Sequence, residues 1–172
     1  MTTRVAKAGD AAACAAIYAP YVTDTAITFE LEPPDEAEMR RRISQSFGWL
    51  VAEHDGAIVG YAYAGPYKER PAYRWASEVS VYLHLEHRGR GLGRELYADL
   101  FARLADQGFR MLVAGVTLPN PASLKLHQNM GFQPVGTWQR IGWKLDAWHD
   151  VHWMQMPIGS DVDPPVEPTL GR

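Results

Sequence analysis

The densest chemistry in this sequence lies in the run Glu78-Val-Ser-Val-Tyr-Leu-His-Leu-Glu-His-Arg-Gly-Arg-Gly-Leu-Gly93. A strand-like stretch is followed by a short turn, and glycines stand at 89, 91 and 93 where a helix begins. Residues without Cβ let backbone N–H groups come close to a ligand, and a helix N-terminus adds about half a positive charge. That combination suits a diphosphate, to which Arg88 and Arg90 add direct charge. The alternative is a surface turn that uses glycine only to reach positive φ. A dinucleotide fold asks for G-x-G-x-x-G, yet Arg94 stands three after Gly91, and Met111–Thr117 holds no acid for a ribose. A P-loop asks for Gly-Lys-Ser/Thr, whereas Gly93 is followed by Arg94-Glu95. Both familiar nucleotide readings fail, and with them a nicotinamide oxidoreductase.

Other residues could act beside such a ligand. Glu78 opens the strand, and Glu78, Ser80 and Tyr82 share one sheet face by alternation. A carboxylate there is a candidate general base; an ordinary exposed strand-end glutamate is the plainer reading. Downstream, Asn120-x-x-Ser123-x-x-x-His127-x-x-x-Gly131-Phe132 places Ser123 and His127 four apart, on one helix face. His127 is either a proton donor or a packing residue. In His149-Asp150-x-His152 the two histidines fall on opposite strand faces with no third ligand, so no metal is predicted. Cys14, inside an Ala-rich stretch, reads as a small buried helix residue rather than a nucleophile.

The elements that must position these groups follow from periodicity and punctuation. Arg4–Lys7 predicts a short strand, and Asp10 an N-cap for a helix through about Tyr18. The segment Val22–Pro34 reads as a loop; Asp35 and Glu38 then open a helix to about Phe47. Trp49–Glu53 and Ala57–Ala64 flank Asp55-Gly56, a hairpin signal. After a loop over Gly65–Arg74 come a strand at Trp75–Leu83 and a helix over Leu92–Gln107, which Gly108 ends. Met111–Val116 is an apolar run, the pattern of a strand covered on both faces. Asn120 caps a helix over Pro121–Met130 that Gly131 stops; Trp138–Trp143 and Val151–Pro157 close the order as strands. The prediction is a mixed α/β chain, β-α-α-β-β-β-α-β-α-β-β, forming one domain over 1–159. Residues 160–172, with Pro164, Pro165 and Pro168, are predicted to be a disordered tail.

Composition narrows the function classes. The chain has 172 residues, 47% hydrophobic and 22% charged, with a net charge of −3. That profile fits a globular protein and gives no reason to expect a nucleic-acid partner. One cysteine rules out an internal disulfide and suits a reducing compartment. The N-terminus lacks the apolar run of a signal peptide, and no segment approaches a membrane span, so a cytoplasmic location is predicted.

The pattern Arg88-x-x-Gly91-x-Gly93 resembles the coenzyme A signature of the GNAT acetyltransferase superfamily. The resemblance implies a GNAT-type acyl-CoA N-acyltransferase fold, a central mixed, largely antiparallel sheet flanked by helices. It implies acetyl-CoA as donor co-substrate, with Val81, Tyr82 and Leu83 beside the acetyl–pantetheine end. Gly89, Arg90, Gly91, Leu92, Gly93 and Arg94 would cradle the diphosphate with Arg88, and Asn120 and Ser123 would meet the cofactor arm. The superfamily commonly has Tyr at the position of His127, a departure that touches the proton donor for the leaving sulfur. Backbone N–H groups near Tyr82 and Leu83 would stabilise the developing oxyanion.

Further blocks, Leu50-Val-Ala-Glu-x-Asp-Gly, Tyr61-Ala-Tyr-Ala-Gly-Pro-Tyr-Lys, Tyr73-x-Trp75-x-x-Glu78 and Trp148-His-Asp-Val151, are similar to phosphinothricin N-acetyltransferases over about residues 3–158. That likeness implies transfer of acetyl to the α-amino group of glutamate-like amines such as phosphinothricin, or of methionine sulfoximine, with Glu78 as base. Such acceptors carry a carboxylate and a second polar head, for which Lys68, Arg70 and Arg74, with Glu69 and Tyr73 in the same segment, are candidate contacts. Phe29 would either wall the acceptor pocket or belong to the core. A homodimer is common in the family, and the aromatic-rich Trp138–Trp153 is read as core and dimer interface rather than a cofactor box. The alternatives are an acetyltransferase for another small amine and a non-catalytic coenzyme A-binding regulatory module.

Overall fold

A computed structural model describes residues 2–169. Met1 and the last three positions of the predicted tail, 170–172, lie outside the described residues. In chain order the elements are β1 (Thr2–Val5), α1 (Ala11–Asp24), α2 (Glu36–Gln45), β2 (Gly48–His54), β3 (Ala57–Pro66), β4 (Ala76–Leu83), α3 (Leu92–Asp106), β5 (Met111–Thr117), α4 (Pro121–Met130), β6 (Gln133–Lys144) and β7 (Ala147–Pro157). The seven strands form one sheet in the order β1-β2-β3-β4-β5-β7-β6. All neighbours are antiparallel except β4 and β5, which run parallel.

Burial on both sheet faces explains the apolar runs. Along β2, Leu50 and Ala52 join one core while Trp49 and Val51 join the other, as the period of two requires. The first core is filled by α3, whose Leu92, Leu96, Leu100 and Leu104 recur every four residues and are at most 1% exposed. Each such side chain contributes about 1.5–3 kcal/mol of transfer free energy. The second core lies under α1 and α2, with Ile17, Tyr18, Tyr21 and Met39 packed on Trp49, Val51 and Tyr61.

The feature that makes a site is the partial pairing of β4 with β5. Register exists only for Ala76, Ser77 and Glu78 against Met111, Leu112 and Val113. Beyond that point β4 continues to Leu83 and β5 to Thr117 without pairing to each other. The sheet is therefore split at its middle, and the cleft begins at Glu78.

Some elements differ from their sequence prediction. Helix α1 continues six residues past Tyr18, through Pro20, to Asp24. Proline inside a helix removes one hydrogen bond and crowds the preceding turn, at about 3 kcal/mol; burial of Tyr21 and Val22 offsets that cost. Asp10 does not cap α1: its carboxylate accepts the Lys7 amide at 2.7 Å and pairs with Arg4 at 2.7 Å, and a 3₁₀ turn at Ala8–Asp10 leads into the helix. Strands β6 and β7 each begin earlier than their alternation suggests, because register shifts near Gly136 and between Trp138 and Gly142 break the period along β6. Residues 160–169 have no helix or strand and lie along the end of the sheet.

The cap of α2 is as predicted on one side: Asp35 Oδ1 accepts from the Glu38 amide at 2.8 Å. Replacing Asp35 by Ala should cost about 1 kcal/mol. Thermal unfolding should then show Tm lower by about 2–4 °C, and an unchanged Tm would show that the cap is dispensable.

Candidate active site

The glycine turn is built as its spacing requires. After β4 a 3₁₀ turn at Leu85–His87 brings the chain round, and Gly89 and Gly91 take φ of 75° and 83°. No neighbour lies within 4 Å of a Cβ at either position, so glycine is required there for conformation rather than for space. Gly93 serves packing: a Cβ would sit 3.3 Å from Leu126 of α4. Gly91 is the N-cap of α3, and its carbonyl accepts from Arg94 and Glu95. Among the described residues the amides of Gly89 to Gly93 have no backbone acceptor, so five consecutive donors are left free at a helix N-terminus. Arg88, Arg90 and Arg94 are exposed around them.

At the other end of the cleft is a cavity of about 350 Å³. One wall is Glu78, Ser80 and Tyr82 of β4, the alternation predicted from sequence, and the facing wall includes Gly115 and Thr117 of β5. Glu78 thus sits where the two strands part. Burial pushes its carboxyl above the usual range, and the charge of Lys68 draws it part of the way back. Aromatic rings line the remainder: Tyr18 from α1, Tyr63 from β3, Trp153 from β7 and Phe29 from the α1–α2 segment. Tyr18 meets Tyr82 edge-on with centroids 4.7 Å apart. Phe29 is seated over Gly142, where a Cβ would come within 2.2 Å of its ring. A second carboxylate on the wall, Glu30, is bound by Arg42 at 2.7 and 3.0 Å and by the Tyr18 hydroxyl at 3.0 Å.

The other predicted acceptor contacts separate from Phe29. Lys68, Glu69, Arg70 and Tyr73 line an open concavity of about 650 Å³ on the β3–β4 loop. Tyr67 in the same concavity packs at 6.1 Å, edge-on, against Trp153 of the Glu78 cavity, so the two hollows share a wall. Arg74 lines neither: its guanidinium stacks 4.2 Å from Trp75 and pairs with Glu167 at 2.8 Å.

A model of the acetyltransferase (GNAT) family matches residues 13–132. The chain belongs to the GNAT family. The chain is 38% identical to a phosphinothricin N-acetyltransferase of Streptomyces viridochromogenes, over 96% of this chain and 92% of that one. An L-methionine sulfoximine/L-methionine sulfone acetyltransferase of Salmonella typhimurium is 33% identical, covering 95% of this chain and 98% of its own length. Among solved structures, a phosphinothricin acetyltransferase from Sinorhizobium meliloti in complex with AcCoA superposes with a TM-score of 0.91 at 37% identity, over 99% of this chain and 94% of that one.

In this acetyltransferase the later motif is folded as a helix cap. Asn120 Oδ1 accepts the Ser123 amide at 3.1 Å, and Pro121 opens α4. His127 lies on the buried face of α4. The ring is 4% exposed; Nδ1 lies 2.8 Å from the Ser123 carbonyl and Nε2 lies 3.2 Å from the Tyr97 hydroxyl. With Nδ1–H donating to the carbonyl, Nε2 accepts from Tyr97, and burial lowers the ring's proton affinity. Both ring nitrogens therefore have partners within the protein. His149 and His152 take separate partners, the Lys144 carbonyl at 2.9 Å and the Thr137 hydroxyl at 2.8 Å.

One positioning residue was illegible in the sequence. The Tyr21 hydroxyl lies 2.5 Å from the Leu83 carbonyl, 3.3 Å from the Leu83 amide and 3.2 Å from Arg88 Nε. Arg88 also stacks over its ring at 4.8 Å. Tyr21 therefore ties the free end of β4 to the first cation of the glycine turn. Tyr21 lies beyond the helix end predicted near Tyr18, so its seat on the buried face of α1 was not legible. Removing the hydroxyl in Tyr21→Phe should raise KM for acetyl-CoA roughly threefold to tenfold, the worth of one or two hydrogen bonds, with the acceptor KM unchanged. Equal kinetics for both substrates would remove Tyr21 from the site.

Proposed function

We propose that this acetyltransferase moves acetyl from acetyl-CoA to the α-amino group of a small glutamate-like or methionine-derived amino acid, such as phosphinothricin or methionine sulfoximine, within a ternary complex. The names of the two relatives support the acceptor class. The observation that carries the reaction is Glu78, a half-buried carboxylate in the wall of the cavity at the mouth of the β4–β5 cleft.

The chain's own groups fit acetyl-CoA. Free amides from Gly89 to Gly93 with Arg88, Arg90 and Arg94 suit a diphosphate, and the unpaired edge of β4 over Val81–Leu83 suits an extended amide-bearing arm. The co-substrate supplies an activated acyl group as a thioester. An acceptor amine has a pKa of about 8 to 10 and arrives as ammonium. Glu78, its carboxyl raised by burial, takes that proton directly or through a water, and Ser80 beside it can hold the water. The Leu83 amide, on the unpaired edge of β4, is the donor for the developing oxyanion; its long 3.3 Å contact with Tyr21 is easily given up to a stronger acceptor. Lys68, Arg70 and Tyr73 take the acceptor's anionic groups, and Phe29 with the tyrosines encloses its side chain. A different small amine is the second reading, favoured by the largely aromatic wall around Glu78. A regulatory module that only binds coenzyme A needs neither the acid nor the cavity.

A cytoplasmic homodimer completes the proposal. No helix among the described residues is long and apolar enough to cross a membrane, and Cys14 is a buried free thiol. Trp138, Ile141, Trp143, Leu145 and Trp148 are exposed along β6–β7, an apolar strip that a second copy would cover.

The test is the pH dependence of turnover with methionine sulfoximine and phosphinothricin. A base works deprotonated, so kcat/KM should fall as pH drops through the Glu78 pKa, at a pH above the ordinary glutamate value near ~4.3. Lys68→Met removes the charge that lowers that pKa and should move the limb to higher pH. Glu78→Gln should cost about 10²–10⁴ in kcat with acetyl-CoA affinity retained. A wild-type rate and profile in Glu78→Gln would end the assignment.

A further inference from the structure

The tail after β7 contacts the loop that carries the acceptor cations. Residues 160–169 run back along the end of the sheet where β4 and β5 begin, anchored by Arg110 to the Val162 carbonyl at 2.8 Å and by the Thr169 amide to Gln107 at 2.8 Å. Val162 is 67% exposed and Val166 75%, so burial of these side chains is not what holds this segment down. Its remaining polar contacts converge on two consecutive residues. The Trp75 indole N–H donates to the Val166 carbonyl at 2.8 Å, and Glu167 pairs with Arg74 at 2.8 Å.

Arg74 is the joint of this arrangement. Its guanidinium lies on the Trp75 ring, and its Nη1 donates to the Pro71 carbonyl at 3.0 Å. The Arg74 amide meets the same carbonyl at 3.2 Å, and the Tyr73 amide bonds Arg70 at 2.9 Å. These contacts close the 3₁₀ turn Pro71–Tyr73, flanked by Arg70 on one side and β4 on the other. An exposed ion pair adds little stability by itself. Here it sets the direction of a side chain that shapes a turn, and three residues beyond Trp75 stands Glu78.

We infer that the C-terminal segment is a strap that positions the acceptor loop, and that Trp75, Arg74 and Glu167 are positioning residues for acceptor specificity. Arg74 then acts through the turn and does not touch the acceptor. The inference rests on the reading of Lys68 and Arg70 as the acceptor's anion contacts.

The two roles of Arg74 give opposite signs. If Arg74 binds the acceptor directly, Glu167 competes for it, and Glu167→Gln lowers or leaves KM. If the strap positions the loop, Glu167→Gln raises KM, and Trp75→Phe, which keeps the ring under Arg74 and loses the bond to Val166, raises it too. In the full-length enzyme with phosphinothricin as acceptor, the double variant Trp75→Phe/Glu167→Gln should raise acceptor KM roughly threefold to tenfold. Its kcat and its KM for acetyl-CoA should stay at wild-type values, which general loss of structure would not allow. Glu167→Asp, which keeps the charge, should recover most of the acceptor KM. Arg70→Ala run alongside separates the two claims. A raised KM there with flat Glu167 and Trp75 variants overturns the strap alone; an unchanged KM there overturns the loop reading and the strap with it.

Discussion

The parting of β4 from β5 after Glu78 and Val113 is the constraint on which the rest of the site depends. Parallel pairing ends after three residues although both strands continue, so β4 keeps an edge that no strand covers. An unpaired edge in the middle of a sheet has to be supported from elsewhere. Here α3 supports it below, through four leucines packed into the first core, and Tyr21 supports its end by taking both polar groups of Leu83. The same split places Glu78 at the boundary between paired and unpaired strand, shielded enough to raise its carboxyl and open enough to line a cavity.

Charge and apolar surface are divided along the cleft. Arginines and free amides crowd the glycine turn, aromatic rings enclose Glu78, and a second group of cations lies on the β3–β4 loop beyond. This order suits a reaction joining a polyanionic donor to an amine that carries its own anions. In the proposed reaction both substrates would be drawn by charge at their far ends, and transfer would occur between those ends in a less polar space where a carboxylate is a stronger base. Lys68 belongs to both parts, since it lines the loop concavity and lowers the Glu78 pKa. Substrate anions near Lys68 would weaken that pull and make Glu78 more basic as the acceptor arrives.

What the sequence made legible was local. The glycine turn, the Asn120 cap with Pro121 and Gly131, and the shared face of Glu78, Ser80 and Tyr82 depend on neighbours within a few positions, and each folds as its spacing says. The strand and helix order also follows from periodicity, because β2 and β3 bury both faces and α3 keeps a stripe every four residues. What stayed hidden was non-local. Tyr18, Tyr63 and Trp153 meet Glu78 only after the sheet is assembled, and nothing near Arg74 announces a partner at Glu167. Helix α1 runs past its predicted end and through Pro20 because the proline's penalty is local while the burial that offsets it is tertiary. His127 shows the same limit: helical spacing puts it on the face of Ser123, and only packing against Tyr97 and Phe132 turns the ring inward.

Amide hydrogen exchange with and without acetyl-CoA tests the central claim most directly. The account predicts new protection at Val81 and Leu83 and at Gly89–Gly93, the open strand edge and the free amides of the turn, with little change along β2 and β3, whose ladders are already filled. Protection confined to other segments, or none at saturating acetyl-CoA, would contradict it.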